Sequence, residues 1–172
     1  EQVFVAEGHK LVGDLLEHFP CKLLIATSNW LKMNHSATAN EIIEVTQEEL
    51  SRASLQKTPQ EVLAVFVQPS YDLNPEVIKS SLCLALDDVQ DPGNLGTIIR
   101  LADWFGIEHI FCSTGTADVY NPKTVQATMG ALARVKVHYC SLPQLIESLT
   151  DIPVYGTFLN GNIIYTESLS AH

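Results

Sequence analysis

Short apolar runs alternate with segments of helical periodicity along most of the chain. In the first part, strand-like runs are found at residues 3–6, 22–26, 41–45 and 62–67, and a helix is predicted over about 8–18. Thr46 and Glu49 follow the third run with the spacing of a capping box, in which the two side chains satisfy free amides at the start of a new helix. This pattern predicts a small α/β unit.

The second part alternates strands and helices more regularly. The continuous apolar run at residues 82–86 is typical of a parallel strand that is buried on both faces. After it come helix 94–105, strand 107–112, a helix opened by Asn121-Pro122, strand 135–139, helix 142–149 and strand 153–158. Gly106 is placed to end the first of these helices in the left-handed conformation. The series predicts a parallel sheet with right-handed crossovers.

Residues 68–75 separate the two parts. This stretch contains two prolines and several turn-forming residues, which is typical of a linker. We therefore predict two domains, residues 1–72 and residues 73–172, and an α/β fold class for the whole chain.

The composition narrows the class of protein. A hydrophobic content of 46% is sufficient for a packed core. We expect no membrane segment, because no apolar stretch reaches the ~18 residues that a spanning helix needs, and the first residues lack a basic signal-peptide start. The four cysteines stand singly, without a CxxC pair, which favours reduced thiols and a cytoplasmic location.

No metal site is predicted. The six histidines show neither HxxH nor HExxH spacing, and no cysteine has a histidine or cysteine at ligand spacing. Asp87, Asp88 and Asp91 surround a predicted strand end, where carboxylates serve equally well as turn residues.

The net charge of −10 has the wrong sign for a protein that neutralises phosphates along a nucleic acid. Residues 1–72 and 73–172 each carry five basic and ten acidic residues, so neither part is basic. Any contact with RNA would have to come from a local basic cluster, from a partner subunit or from segments outside this chain.

The loop at residues 87–93 is the expected position of a site, because ligands of open α/β sheets bind beyond the carboxyl ends of the strands. Gly93 permits a tight turn, Asn94 can cap the following helix, and Gly96 keeps its first turn free of a side chain. The glycines match neither G-x-G-x-x-G nor a P-loop.

A helical plot assigns the residues that follow to two faces. Leu95, Ile98, Ile99 and Ala102 share one face, and Gly96, Thr97, Arg100 and Asp103 lie roughly opposite. Arg100 is therefore predicted to point away from the core. From spacing alone, a solvent-facing arginine paired with Asp103 is one interpretation.

The same residues carry a resemblance. The run Asp91-Pro92-Gly93-Asn94-x-Gly96-x-x-x-Arg100, with Ala102 and Phe105-Gly106 after it, resembles the first signature motif of the SpoU/TrmH RNA methyltransferases of the SPOUT superfamily. Asn121-Pro122-Lys123 and Thr128-x-Gly130-Ala131 resemble the next conserved helix of that family, in which serine is more usual at position 128. Residues 4–8 and 62–67 resemble the small substrate-binding domain that many members carry in front. The similarity covers nearly the whole chain.

The resemblance implies S-adenosylmethionine-dependent methylation of a ribose 2'-hydroxyl in rRNA or tRNA, by a homodimer with a trefoil-knotted catalytic domain. It also implies that Arg100 activates or orients the hydroxyl and that Asn94 supports the active site. Arginine is a poor base, so we favour the hypothesis that Arg100 clamps an RNA phosphate and positions the hydroxyl. Thr157 and Leu159, at the end of a strand that reaches the pocket in the family, are the cofactor candidates.

The family pattern continues with Gly-x-Glu and Ser-Leu-Asn motifs that build the knot and most of the cofactor pocket. The sequence ends at Ser170-Ala171-His172, before either motif, so we expect an incomplete methyltransferase domain that binds the cofactor weakly. Trp104 and Phe105 are interpreted as core or interface aromatics in preference to an RNA-stacking platform.

Two other classes of protein stay open. The first is a doubly wound nucleotide-binding oxidoreductase, which the missing glycine fingerprint disfavours. The second is a non-catalytic RNA-binding or scaffold protein that retains the fold.

Overall fold

The first half of the chain folds around a mixed four-stranded sheet. The computed structural model describes residues 2–72, 76–158 and 160–167. The elements of the first half are β1 (Val3–Glu7), α1 (His9–Leu16), β2 (Cys21–Thr27), α2 (Ser28–Met33), β3 (Glu41–Val45), α3 (Gln47–Ala53) and β4 (Val62–Val67). The strand order is β1-β4-β2-β3, in which β4 runs antiparallel to β1 and β2, and β2 runs parallel to β3.

The capping box predicted at Thr46 and Glu49 is confirmed. Thr46 Oγ1 accepts a hydrogen bond from the Glu49 amide at 3.3 Å, and Glu49 Oε2 accepts one from the Thr46 amide at 2.9 Å. Helix α2 was not predicted, because its six residues are too few to show a helical period. Its start is nevertheless capped by the Thr27 side chain.

The second half contains a parallel sheet, as predicted. Its elements are α4 (Glu76–Ser80), β5 (Leu84–Leu86), α5 (Pro92–Trp104), β6 (His109–Cys112), α6 (Pro122–Thr128), β7 (Lys136–Tyr139) and α7 (Leu142–Ser148). The strand order is β5-β6-β7, with both pairs parallel. Gly106 follows α5 with φ +70°, which confirms its left-handed position.

Two predictions about this sheet are wrong. Residues 153–158 form no strand, and Tyr155 and Phe158 have exposed fractions of 58% and 80%. A strand-like segment becomes a strand only when another strand satisfies its backbone amides and carbonyls. No described strand pairs with residues 153–158. Strand β5 is also not buried on both faces, because Leu84 and Leu86 are half-buried while Ala85 is exposed.

The two halves pack against each other. The larger hydrophobic cluster contains residues of both sheets, and the Phe4 ring lies 5.1 Å from the Tyr120 ring, measured between centroids. A side-chain hydrogen bond of 3.0 Å joins Gln56 to Gln126. In the sequence, the strands of one sheet all precede residue 68 and those of the other all follow residue 75. Because the two halves share a hydrophobic cluster, the division into domains 1–72 and 73–172 stays a prediction.

Two expectations about the exterior can be compared with the structure. Trp104 and Phe105 do not belong to the core, since their exposed fractions are 84% and 73%. They end α5 on the side away from Leu95 and Ile99. None of the helices among the described residues is both long and apolar enough to cross a membrane.

A pair of stacked histidines joins β6 to β7. His109 Nδ1 and His138 Nε2 lie 3.0 Å apart, and His138 also stacks on Phe111. Burial lowers the pKa of His109, with a further contribution from Lys136. Burial also lowers the pKa of His138, with contributions from His109 and Lys136. Neutral rings can share this hydrogen bond, but two protonated rings cannot, because both nitrogens would be donors.

We expect this pair to make the fold sensitive to acid. Its stabilising effect is complete above the ordinary histidine pKa of 6.5 and is lost as the pH falls below it, because the unfolded chain then takes up protons that the folded chain resists. Urea unfolding at pH 7.5 and pH 5.5 should show a larger loss of stability for the natural protein than for His138→Phe, which keeps the stacking. Equal losses in both proteins would contradict the prediction.

Candidate active site

Helix α5 begins two residues earlier than predicted. Asp91 is its N-cap, since Asp91 Oδ1 accepts a hydrogen bond from the Asn94 amide at 2.8 Å, and Pro92 occupies the first helical turn. An aspartate followed by proline is the stronger start signal, because proline needs no amide partner there and already has helical φ. The prediction that Asn94 caps the helix is therefore wrong, and Asn94 lies exposed inside the first turn.

An ion pair joins the start of α5 to the start of α6. Lys123 Nζ lies 2.9 Å from Asp91 Oδ2, and the Lys123 backbone amide donates to Asn121 Oδ1 at 2.9 Å. The predicted helix start at Asn121-Pro122 is thereby confirmed. The Lys123 ammonium, followed by the Asn94 amide, holds the pKa of the Asp91 carboxyl below its usual value. Asp91 therefore remains an ionised link between the two helices at neutral pH.

Gly96 lies at the contact between α5 and α6. A Cβ at this position would stand 2.6 Å from the Ala127 Cβ and 2.7 Å from the Thr124 carbonyl oxygen. Gly96 is buried, so the prediction that it shares the outward face with Arg100 is wrong. The helical plot identified only the apolar face of α5, but a second face, which contains Gly96, is buried against α6. On the predicted core face, Leu95, Ile99 and Ala102 are buried.

Arg100 is exposed, as the helical plot predicted, and it forms no hydrogen bond or ion pair with any described residue. Its expected partner Asp103 binds Arg134 instead, through two contacts of 2.8 and 2.6 Å. The pairing of Arg100 with Asp103 is therefore wrong, because the planar guanidinium of Arg134, 31 residues further along the chain, meets that carboxylate in bidentate geometry. The result is an unpaired cation on the outward face of the motif helix.

Arg100 lies six positions after Asn94 on α5. At 1.5 Å and 100° per residue, they lie about 9 Å apart along the helix axis and about 120° apart around it. Thr97 lies between them and is also exposed, with its hydroxyl donating to the Gly93 carbonyl at 2.9 Å. The roles assigned to Asn94 and Arg100 stay predictions.

The cofactor candidates stay predictions as well. Thr157 is exposed in the segment 153–158, and Leu159 lies outside the described residues. Neither cavity described in this structure includes Thr157. Within the described residues, no group of three or more His, Cys, Asp or Glu side chains could hold a metal ion.

Both parts of the chain are similar to known protein families. Residues 81–171 match the SpoU rRNA Methylase family, and residues 1–64 match the MRM3-like substrate binding domain. A TrmH-family protein from Porphyromonas gingivalis has a similar structure, with a TM-score of 0.83 and 42% identity over 98% of this chain and 68% of that chain. The fold is thus that of the SPOUT methyltransferases. The chain belongs to the SpoU rRNA methylase family.

Several relatives carry specific names. The chain is 30% identical over 167 residues to the 23S rRNA (guanosine(2553)-2'-O)-methyltransferase RlmP of Bacillus subtilis, covering 95% of this chain and 66% of RlmP. It is 29% identical to the mitochondrial rRNA methyltransferase 3 of Mus musculus, covering 76% of this chain and 34% of that protein. The SpoU methyltransferase AviRb of Streptomyces viridochromogenes, in complex with AdoMet, matches with a TM-score of 0.72 and 26% identity over 86% of this chain and 59% of AviRb. The chain thus spans about a quarter to two thirds of the length of the curated relatives that it matches.

Proposed function

We propose that the protein methylates a ribose 2'-hydroxyl of rRNA with S-adenosylmethionine as the methyl donor. The observation that carries this proposal is Arg100, which is exposed and unpaired among the described residues on the helix that contains the family motif. RlmP of Bacillus subtilis and the 23S rRNA (uridine(2479)-2'-O)-methyltransferase of Streptomyces viridochromogenes support rRNA rather than tRNA as the substrate, because both are named for 23S rRNA.

Arg100 is proposed to bind an RNA phosphate. A guanidinium stays charged at every physiological pH, and its planar fork matches phosphate oxygens in bidentate geometry. Of the three cations on α5, α6 and the turn after α6, Lys123 is paired with Asp91 and Arg134 with Asp103. Arg100 is therefore the cation of this group whose donors are available to a phosphate. Holding the phosphate fixes the adjacent ribose, and placement of the hydroxyl then supplies much of the rate enhancement.

The cofactor is proposed from the neighbouring structures. AviRb and an rRNA methyltransferase from Sinorhizobium meliloti are both known with AdoMet bound. Thr157 and Leu159 remain the candidate cofactor residues, and the trefoil knot that the family implies remains a proposal.

A homodimer is also proposed. Leu101, Trp104 and Phe105 form an exposed apolar cluster at the end of α5, with exposed fractions of 52%, 84% and 73%. Aromatic side chains of this size are enriched in the buried centres of protein interfaces.

The cysteines Cys21, Cys83, Cys112 and Cys140 are all free, which supports the proposed cytoplasmic location.

The proposal is tested on the natural RNA. The protein is incubated with radiolabelled S-adenosylmethionine and with rRNA from a strain that lacks it, and 2'-O-methylation is mapped in both strains. We expect one rRNA ribose to be unmethylated in the deletion strain and to be methylated by the protein in vitro. Unchanged methylation in the deletion strain, together with no heat of S-adenosylmethionine binding in calorimetry, would instead favour a non-catalytic RNA-binding protein.

A further inference from the structure

A cavity of about 730 Å³ lies where the two halves of the chain meet. It is separate from the exposed face of α5, since no residue of that helix lines it. Its walls come from four segments that are distant in sequence: residues 2–3, residues 68–71, residues 118–120 and residues 137–139. Its volume lies within the range of pockets that hold small organic ligands.

Aromatic rings form much of this cavity. Tyr71, Tyr120, His138 and Tyr139 all line it. The Tyr71 ring meets His138 edge-on, with centroids 6.1 Å apart and planes at 60°, and the Tyr120 ring lies against Phe4. These contacts hold the rings in place, so the cavity offers preformed aromatic surfaces to a flat ligand.

The polar groups of the cavity differ in availability. The Tyr139 hydroxyl is already occupied, because it accepts from the Val119 amide at 2.8 Å and donates to the Ala117 carbonyl. The hydroxyls of Tyr71 and Tyr120, by contrast, bond to no described residue. Asp118 Oδ1 accepts from the Tyr120 amide at 2.9 Å, while Oδ2 has no partner among the described residues. The lining residues therefore carry two phenol hydroxyls and one carboxylate oxygen without a partner among the described residues, besides the polar side chains of Gln2, Gln68 and Ser70.

The charge of the lining excludes a phosphate. The twelve lining residues contain Asp118 but neither lysine nor arginine. A carboxylate oxygen only accepts hydrogen bonds, so the ligand group beside Asp118 must carry N–H or O–H donors. Flat shape, neutral charge and N–H donors are together the properties of a nucleobase. An exocyclic amino group offers N–H donors to a carboxylate, whereas the single base N–H of uracil lies between two carbonyl oxygens that a carboxylate repels.

We propose that this cavity holds one unstacked base of the RNA substrate, a guanine, adenine or cytosine, between its aromatic walls and against Asp118. The proposal rests on the proposed function, because RNA is the substrate there. Proteins commonly recognise single-stranded RNA by stacking bases on aromatic rings and by hydrogen bonds to the base edges. Such contacts need no neutralised phosphates, so they give a chain with a net charge of −10 a way to bind RNA.

The base site is tested first with nucleosides, which carry no phosphate. Guanosine, adenosine, cytidine and uridine are titrated into the isotope-labelled protein, and amide shifts are followed by NMR. We expect shifts at residues 68–71 and 118–120, with uridine binding weakest because the Asp118 carboxylate repels the two carbonyl oxygens that flank its only base N–H. Absence of shifts at these residues, or equal shifts with all four nucleosides, would overturn the proposal.

Variants supply the second measurement. Asp118→Asn keeps a side-chain oxygen for the Tyr120 amide but loses the carboxylate, and Tyr71→Ala removes one wall. Each should weaken binding of a single-stranded RNA that contains the amino bases by about 10-fold. Asp151→Asn is the matched control, because Asp151 is exposed, lies outside the cavity and removes the same charge. Tyr71→Phe serves as a milder variant, and unchanged unfolding midpoints show that the variants fold.

The two proposals can fail separately. If methyl transfer from S-adenosylmethionine to rRNA persists while Asp118→Asn and Tyr71→Ala bind RNA as tightly as Asp151→Asn, only the base site is wrong. If no RNA is methylated but the nucleosides still bind at the cavity, only the proposed function is wrong. In the active protein, the two cavity variants should raise KM for RNA and leave kcat nearly unchanged, since they do not touch Arg100.

Discussion

Replacing Arg100 with alanine should lower the rate of methyl transfer to rRNA by about 100-fold or more, while the stability of the fold stays within about 0.5 kcal/mol. The rate falls because the proposed phosphate contact is lost and the ribose hydroxyl is no longer held in place. Stability is preserved because Arg100 is exposed and contributes no hydrogen bond or ion pair to any described residue. Single-turnover methylation with saturating S-adenosylmethionine and urea unfolding measure the two effects.

Two further variants separate charge from position. Arg52 is exposed on α3 and forms an ion pair with Glu48, so Arg52→Ala removes the same charge far from the motif and should keep the natural rate. Arg100→Lys keeps the charge but not the planar fork, and should recover only part of the activity. Full methyl transfer by a correctly folded Arg100→Ala protein would exclude the proposed role.

Local sequence signals predicted the elements of this fold well. The capping box at Thr46 and the Asn121-Pro122 helix start both form as expected, and Gly106 has positive φ. Each of these signals acts within about one turn of chain, so the sequence contains all the atoms that take part. Element type could therefore be predicted without knowledge of the tertiary structure.

Contacts between elements could not be predicted in this way. Asp91 meets Lys123, and Asp103 meets Arg134, across sequence separations of 32 and 31 residues. A helical plot identifies one apolar face of a helix. It does not show that a second helix, here α6, covers another face of α5 at Gly96. The predicted strand at residues 153–158 failed for a related reason, since strand formation depends on a partner strand that the local sequence does not specify.

The candidate site shows the same division. The motif resemblance identified Arg100, and the structure adds the reason for its availability, because Arg134 occupies the carboxylate that Arg100 was expected to bind. The cavity at Tyr71 and Asp118 had no sequence signal at all. Its lining comes from four separate segments, and only folding brings them together.

Replacing Gly96 with alanine should have the largest effect on stability, a loss of about 1–3 kcal/mol. The new Cβ would lie 2.6 Å from the Ala127 Cβ and 2.7 Å from the Thr124 carbonyl oxygen, closer than real Cβ contacts allow. Alanine favours a helix over glycine by about 1 kcal/mol, but this gain is smaller than the strain of separating two packed helices. Because α6 also carries Lys123, the displacement should disturb the Asp91–Lys123 ion pair and reduce methyl transfer.

Gly13→Ala on α1 is the matched control for this prediction. A Cβ at Gly13 would meet nothing within 4 Å, so only the helix-propensity gain applies and the protein should become slightly more stable. Urea unfolding should therefore move the two midpoints in opposite directions, although both substitutions add the same methyl group to a helix. If Gly96→Ala were as stable as Gly13→Ala, α5 and α6 could separate at little cost, and Gly96 would not be what sets the distance between these two helices.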